Sequence, residues 1–259
     1  GIFPAKLYSR CVQKIRSANS MYWSRKNIGA HYDLGNEFFS NILDQNMNYS
    51  CAVFEPEGID LAAAQDKKID LLLSNSNLGK EDHILAIGCG WGRLLIKAVE
   101  DYGCMATGVT LSEKQYDYCV KLVHDLGLDT RVKILLQDYR TVRGQFDHIY
   151  SVEMLEAVGH AGLKEFFFQS NSLLKRFGTL GVQVITIPDE RYESYRKNCD
   201  FIQKYIFPGG VLPSMDAIKN AASSCGGFVA ENISSIGSHY KTTLMAWRNN
   251  LNSNSEKIL

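Results

Sequence analysis

The sequence predicts an α/β fold, in which a mostly parallel seven-stranded sheet carries helices on both faces and ends in an antiparallel C-terminal edge. Short apolar runs alternate with segments of helical length between residues 60 and 187. The first of these runs is followed at once by Gly88, Gly90 and Gly92, and then by a helical pattern. The chain has 259 residues, enough to bury the core of one such domain.

The elements of the sheet can be assigned in chain order. Asp60 is a suitable N-cap, and the Ala-rich segment behind it predicts a helix that ends near residue 73. The apolar runs predict five parallel strands, at residues 83–87, 105–109, 131–136, 146–152 and 179–187. The segments between them predict helices at residues 91–101, 112–126 and 163–176.

An aromatic and charged segment, residues 188–213, interrupts the alternation of strands and helices. Its length predicts a lid or a substrate-binding insertion. Residues 214–225 then predict a helix, and the strand-like runs 228–236 and 242–247 predict the antiparallel hairpin. We expect a single domain with four parts, namely a helical N-terminal cap (1–60), a cofactor-binding core (61–187), the lid insertion (188–213), and a C-terminal helix and hairpin (214–259).

The composition is that of an ordinary globular protein, with 45% hydrophobic and 22% charged residues. Lys and Arg together number 28, as do Asp and Glu, so the net charge gives no indication of a nucleic-acid partner. The first 32 residues are basic and contain no Asp or Glu. This segment has two interpretations, a contact with an anionic membrane surface or a solvated helix packed on the core.

Two further patterns bear on the environment of the protein. No apolar run approaches the length of about 18 residues that spans a bilayer, so we expect any membrane contact to be peripheral. The seven cysteines form no Cys-x-x-Cys pair, which predicts reduced thiols in a cytoplasmic setting and no metal site.

The glycine loop indicates a nucleoside cofactor that is not a dinucleotide. A dinucleotide site would have its third small residue at position 93, which is Arg93, and an acidic residue near Thr110. A compact glycine loop without a pyrophosphate site suits S-adenosylmethionine. Gln115 and the pair Gln137 and Asp138 follow strands two and three, where they are either groups for the ribose and adenine or solvated loop residues.

Several longer motifs resemble the cyclopropane-fatty-acyl-phospholipid synthase family, and together they run from about residue 27 to residue 248. They are 31–39 (HYDLGNEFF), 49–54 (YSCAVF), 87–92 (IGCGWG), 108–112 (GVTLS), 138–140 (DYR), 151–159 (SVEMLEAVG), 200–210 (DFIQKYIFPGG) and 239–244 (HYKTTL). The YSC and FPGG elements are much more specific than the glycine loop. The resemblance implies a Rossmann-like methyltransferase fold.

The resemblance also implies roles for individual residues. Positions that hold S-adenosylmethionine in the family are matched by Tyr49, Ser50, Gly88, Gly90, Thr110, Leu111 and Gln115, and Tyr139 joins Gln137 and Asp138 as a further cofactor candidate. The family pocket for bicarbonate, beside the transferred methyl, is matched by Cys51, Glu156, Ile187 and Tyr240. His160 or His239 would supply the donor that bacterial synthases have at the position of Ile185. In that pocket the Cys51 N–H and the Tyr240 hydroxyl would hold bicarbonate, and Glu156 would accept its hydroxyl.

The implied reaction is methyl or methylene transfer to the cis double bond of an unsaturated phospholipid acyl chain, through a carbocation that bicarbonate deprotonates. The product would be a cyclopropane or a methyl branch. The expected partner is an unsaturated phospholipid at a membrane surface, with no nucleic acid, and a homodimer is left open. The alternatives are a small-molecule N-methyltransferase and a non-catalytic S-adenosylmethionine-binding protein.

Two positions depart from the family pattern. Ala86 stands before the glycine loop, where the family usually has Glu. Ile185 stands where bacterial synthases have His, an arrangement shared with plant-like relatives. We therefore expect altered binding of the cofactor or of bicarbonate at these two places.

Overall fold

The computed structural model describes residues 20–32 and 34–258, and its centre is a parallel five-stranded sheet. The strands are β1 (His83–Ile87), β2 (Met105–Thr110), β3 (Val132–Leu136), β4 (Phe146–Val152) and β5 (Leu174–Gln183). They lie in the order β3-β2-β1-β4-β5, and every neighbouring pair is parallel. The predicted α/β class and the positions of the first four strands are thus confirmed. The fifth strand, predicted at 179–187, begins and ends earlier and overlaps the prediction only from 179 to 183.

Helices precede, connect and follow the strands. They are α1 (Met21–Tyr32), α2 (Gly35–Ser40), α3 (Leu61–Ser74), α4 (Arg93–Tyr102), α5 (Glu113–Asp125), α6 (Gly159–Leu173), α7 (Asp189–Tyr195), α8 (Phe201–Tyr205), α9 (Met215–Ser223), α10 (Gly237–Ser253) and α11 (Ser255–Ile258). Asp60 caps α3 by accepting a hydrogen bond from the Ala63 N–H, as the sequence predicts. The basic residues Lys6, Arg10, Lys14 and Arg16 lie outside the described residues, so the membrane interpretation of that segment stays a prediction.

Apolar clusters cover both faces of the sheet. Ile84 and Ala86 of β1 pack into one cluster with α4, whereas Leu85 and Ile87 pack into another with α6. Successive side chains of a strand point to opposite faces, so this alternation requires a helical layer on each side. It also explains why β1 reads as a continuous apolar run.

The order of the strands reverses between β1 and β4. In an open parallel sheet, this point leaves a crevice outside the carboxyl ends of the strands, where ligands bind. Gly88 follows β1 there, Thr110 ends β2, and Glu153 follows β4. The topology therefore brings these three residues to one edge of the sheet.

The predicted hairpin is wrong. Residues 242–247 lie inside α10, where Thr243 and Trp247 are buried. Met245, which would share their face in a strand, is exposed, so the burial pattern is helical. Residues 228–236 form no regular secondary structure and pair with no strand in the described part of the chain, and Val229 and Ile233 are exposed. The described sheet therefore has five strands instead of seven and lacks the antiparallel edge.

The end of α6 also differs from the prediction. Helix α6 ends at Leu173 and not at Arg176, because Leu174 already pairs with Phe146 at the start of β5. The polar tail at 249–258 is helical, since Asn250 and Asn254 anchor it by donating side-chain hydrogen bonds to backbone carbonyls of residues 41–43. Among the described helices, none is long and apolar enough to cross a membrane.

Candidate active site

A cavity of about 610 Å³ opens at the crevice between β1 and β4. It extends from the glycine loop to the insertion 188–213, so the predicted cofactor loop and the predicted lid border the same space. Most of the cofactor candidates line it, namely Tyr49, Ser50, Gly88, Gly90, Thr110, Leu111, Gln115, Gln137 and Tyr139.

Gly88 and Gly90 of the glycine loop cannot be replaced by larger residues without backbone strain. Gly88 has φ +75° and Gly90 has φ +56°, the left-handed region that glycine tolerates best. A Cβ on Gly88 would also lie 2.9 Å from Cγ of Met154. The loop therefore leaves a cradle in which a ligand can approach the backbone closely, as S-adenosylmethionine requires.

Gln115 presents an unused hydrogen-bond donor beside this cradle. Its Oε1 accepts a hydrogen bond from the Thr110 hydroxyl at 2.8 Å, which fixes the orientation of the amide. Its Nε2 is buried and has no partner in the described part of the protein. A buried unpaired donor is costly unless a ligand satisfies it, so this side chain fits a polar cofactor.

Asp138 is the one cofactor candidate that does not line the cavity. Its carboxylate forms two hydrogen bonds with the Arg140 guanidinium, at 2.8 and 2.7 Å, and it caps the short 3-10 helix Tyr139–Thr141. The cavity is instead lined by its neighbours, Gln137 and Tyr139. In this structure Asp138 holds the turn that presents them.

Lys68 is a site residue that the sequence analysis missed. It is buried, lines the cavity, and donates a hydrogen bond to the Ser50 hydroxyl at 2.6 Å. Within the described residues, no carboxylate oxygen lies within 4.0 Å of its Nζ. Burial lowers its pKa to about 8, and a buried ammonium group of this kind suits an anionic ligand group. The sequence shows that Lys68 lies in an Ala-rich helix, but not that its side chain faces the cavity.

Glu153 is the second site residue that the sequence analysis missed, and its carboxylate accepts three hydrogen bonds. Its Oε1 accepts the backbone N–H of Cys51 at 2.8 Å and Nε2 of Gln183 at 2.9 Å. Its Oε2 accepts the hydroxyl of Tyr240 at 3.2 Å. The signal in the sequence was a carboxylate placed directly after a buried strand, at the edge where ligands bind.

Glu156 also lines the cavity, as predicted, but in a different chemical state. Its Oε1 accepts the backbone N–H of Ile185 at 2.6 Å, whereas its Oε2 is buried without a partner among the described residues. Burial raises its pKa to about 8, and the charge of Glu153 adds to this shift. Glu156 is therefore mainly protonated at neutral pH.

Bicarbonate does not fit the described residues. The Cys51 N–H and the Tyr240 hydroxyl, which would hold it, both donate to Glu153. Glu156, which would accept its hydroxyl, is mainly protonated, and only its Oε2 is left without a partner among the described residues. The pocket thus holds a protein carboxylate where the resemblance implies a bound anion.

Three of the catalytic candidates do not line the cavity. Cys51 is buried and donates its N–H to Glu153, which does line it. His160 is exposed, and its Nδ1 is 2.7 Å from the Tyr192 hydroxyl. Ile187 is buried in a separate cluster with Tyr192 and Val211. Ile185, two residues earlier, lines the cavity instead of Ile187.

An aromatic wall joins the cofactor side of the cavity to the insertion and to the C-terminal helix. The Tyr49 ring lies 5.2 Å from the Trp247 ring of α10 and 6.4 Å from the Phe207 ring of the insertion. Such ring pairs contribute packing energy beyond the area that they bury. The insertion therefore forms part of the cavity wall and contacts Tyr49 through Phe207.

The chain is similar in sequence to known lipid methyltransferases and cyclopropane synthases. The family described as mycolic acid cyclopropane synthetase matches residues 20–259. The tuberculostearic acid methyltransferase of Mycobacterium tuberculosis is 41% identical over 232 residues, 87% of this chain and 54% of the relative. Cyclopropane mycolic acid synthase 1 of Mycobacterium tuberculosis is 35% identical over 242 residues, 90% and 84% of the two chains.

The cyclopropane-fatty-acyl-phospholipid synthase of Escherichia coli is 40% identical over 218 residues, 84% of this chain and 54% of the relative. The chain thus spans about half the length of two of these three relatives.

Solved structures show the same relationship. A mycolic acid cyclopropane synthase complexed with SAH and CTAB superposes with a TM-score of 0.84 at 34% identity, over 90% of this chain and 85% of that one. Coclaurine N-methyltransferase reaches a TM-score of 0.73 at 19% identity, which shows only that the fold is shared. The chain has the fold of S-adenosylmethionine-dependent methyltransferases and belongs to the mycolic acid cyclopropane synthetase family.

Proposed function

We propose that this protein transfers a methyl group from S-adenosylmethionine to the cis double bond of an unsaturated phospholipid acyl chain. The observation that carries the proposal is the cavity of about 610 Å³, which connects the glycine loop with an apolar space beneath the insertion. Ile202, Ile206, Phe207 and Leu244 line that space. A chamber of this kind suits an alkyl chain better than a charged or hydrogen-bonding acceptor.

The cofactor would be held by two sets of groups beside the glycine loop. Lys68 and Ser50 offer an ammonium and a hydroxyl for the carboxylate of its amino-acid part. Gln115, with its unpaired Nε2, offers a donor for the nucleoside. When bound, S-adenosylmethionine supplies an electrophilic methyl group on a sulfonium. Ala86 adds no acidic group here, so we expect the binding of its amino-acid part to depend strongly on Lys68.

The chemistry of an alkene explains why the acceptor space should be apolar and closed. An isolated double bond is a weak nucleophile, so it must be aligned at about 3–3.5 Å from the methyl group. Its attack leaves a carbocation on the acyl chain, which water would capture, so the aromatic wall and the insertion must exclude water. A nearby base must then remove a proton.

The insertion also suggests how a lipid reaches the chamber. Phe201 and Tyr205 of α8 are 65% and 60% exposed, although the neighbouring residue Ile202 lines the cavity. Exposed apolar groups beside a binding cavity are typical of surfaces that contact membranes. We therefore include a peripheral membrane contact of α8 in the proposal.

The test is incubation with methyl-labelled S-adenosylmethionine and vesicles of unsaturated phospholipid, followed by mass spectrometry of the acyl chains. We expect label in the acyl chain, with the mass gain of one methylene group. Label that passes instead to an added amine, with unchanged lipid, would favour an N-methyltransferase. Cofactor binding without transfer to any acceptor would indicate a non-catalytic protein.

A further inference from the structure

We infer that the Glu153 carboxylate is the base of this reaction and stands in the place that the resemblance assigns to bicarbonate. The inference rests on the proposed function, since it names the group that takes the proton from the methylated acyl chain. It differs from what the resemblance implies, because the protein would then supply the base from its own chain.

The first argument is the identity of the donors around Glu153. Two of the three groups that bind its carboxylate, the Cys51 N–H and the Tyr240 hydroxyl, are the ones expected to bind bicarbonate. A carboxylate and a bicarbonate ion present the same planar O–C–O edge to such donors. Both cannot use these donors at once, and the structure assigns them to Glu153.

The second argument is the backbone at Glu153, which has φ +48°. This left-handed conformation suits glycine and strains a residue with a long side chain. The Glu153 N–H donates to the Gln183 carbonyl at 2.8 Å, which holds the residue in this conformation. Backbone strain that the folded protein retains at a cavity wall indicates that the side chain has a function there.

The third argument is which oxygen remains accessible. Oε1 already accepts two hydrogen bonds, from Cys51 and Gln183, whereas Oε2 accepts one, from Tyr240. A carboxylate oxygen has about two lone-pair sites, so Oε2 keeps one for a proton. Glu153 lines the cavity, which places this carboxylate at the wall of the chamber.

The fourth argument separates Glu153 from its neighbour. Burial keeps Glu156 mainly protonated at neutral pH, so its ionised form is the minor one, and its Oε1 already accepts the Ile185 N–H. Burial also raises the pKa of Tyr240, whose hydroxyl therefore remains a donor to Glu153. Of these three groups, Glu153 is the one whose carboxylate is held at the chamber wall by the two donors expected for bicarbonate.

The proposed step balances without a further reactant. The π electrons of the alkene form a bond to the methyl carbon as the carbon–sulfur bond breaks, and the cation remains on the neighbouring carbon. Oε2 of Glu153 then removes a proton from the added methyl group, and the electrons of that C–H bond close the cyclopropane ring. The neutral Glu153 carboxyl returns its proton to water when the product leaves.

The experiment compares wild type, Glu153→Gln and Glu153→Gly in carbon-dioxide-free buffer, with and without added bicarbonate. Glu231→Gln is the matched control, because Glu231 is exposed. The assay measures labelled lipid product, and calorimetry measures the Kd for S-adenosylmethionine. The wild type in bicarbonate-containing buffer is the reference, and absence of lipid product there refutes the proposed function itself rather than this inference.

We expect the wild-type and E231Q rates to be the same with and without bicarbonate. E153Q should lose at least about 100-fold in rate, as expected for loss of a general base, while its Kd changes by less than about threefold. E153G relieves the backbone strain and frees both donors, so added bicarbonate should raise its rate by at least about tenfold.

Three results would overturn the inference. The first is a wild-type rate that collapses in carbon-dioxide-free buffer and returns with bicarbonate. The second is an E153Q rate close to that of the wild type. The third is a loss of more than about tenfold in cofactor affinity in E153Q, which would make Glu153 a cofactor ligand instead.

Discussion

Glu156→Gln should make the folded protein more stable than the wild type at alkaline pH but not at acidic pH. Glu156 lines the cavity, with one oxygen bonded to the Ile185 N–H and the other buried without a partner in the described structure. Glutamine has the same shape as the protonated carboxyl and cannot ionise. The substitution therefore removes only the cost of placing a charge in this pocket.

The size of the effect follows from the pKa of Glu156. Its ordinary pKa is 4.5, and burial raises it to about 8 in the folded protein. The folded state thus keeps a proton that the unfolded chain releases, so the stability contributed by this group is complete below pH 4.5 and is lost as the pH rises towards 8. At about 1.4 kcal/mol per pH unit, the upper limit over this range is roughly 5 kcal/mol. Water entry and relaxation of neighbouring dipoles reduce it, and we expect a gain of at least about 2 kcal/mol at about pH 9.

Equilibrium unfolding in urea, followed by tryptophan fluorescence, measures this gain at several pH values. The difference in unfolding free energy between E156Q and wild type should be close to zero near about pH 5 and grow with pH. Glu231→Gln provides the control and should show no such trend. A difference that stays constant to within about 0.5 kcal/mol between about pH 5 and pH 9 would refute the assignment of Glu156 as a buried neutral acid.

Three further variants, the last of them a double substitution, test the cavity. Gly88→Ala places a methyl group 2.9 Å from Cγ of Met154 at φ +75°, so calorimetry should show at least about tenfold weaker binding of S-adenosylmethionine. Lys68→Met removes the buried ammonium, and the same titration should show at least about tenfold weaker binding, whereas urea unfolding should show no loss of stability. Phe201→Ser combined with Tyr205→Ser should lower turnover on phospholipid vesicles by at least about fivefold and leave cofactor affinity unchanged.

Each of these substitutions has a matched control. Gly226→Ala introduces the same strain at φ +71° in open space, Lys67→Met removes a neighbouring ammonium of the same helix, and Val229→Ser removes an exposed apolar group. We expect none of the three controls to change cofactor affinity or turnover. If a control lost as much as its partner variant, the effect would be general destabilisation and the corresponding assignment to the cavity would be wrong.

The parallel sheet and its glycine loop could be predicted because their signals are local. A buried strand such as β1 reads as an apolar run, and a ligand cradle needs glycines within a few residues of its end. The helix at 242–247 could not be predicted in this way, because its Thr-rich segment favours a strand and only burial of Thr243 with Trp247 decides otherwise. The burial of Lys68 at the cavity could not be predicted for a related reason. A helix pattern does not show which of its lysines faces a cavity.

Glu153 shows the same limit at the level of single groups. The position of Glu153 after β4 can be predicted from the sequence. The three groups that donate hydrogen bonds to its carboxylate, however, come from distant parts of the chain. Cys51 lies 102 residues away, Gln183 30 residues and Tyr240 87 residues. No local spacing encodes such a set, and only the folded topology assembles it.

These long separations also have a consequence for the order of folding. Contacts between distant segments require closure of long loops and form late, whereas helices and neighbouring strands form early. The surroundings of Glu153 are therefore completed only after α10 has docked Tyr240 against the edge of the sheet. A partly folded chain could form the glycine loop before it holds the carboxylate in place, so competence for the reaction would be acquired at the end of folding.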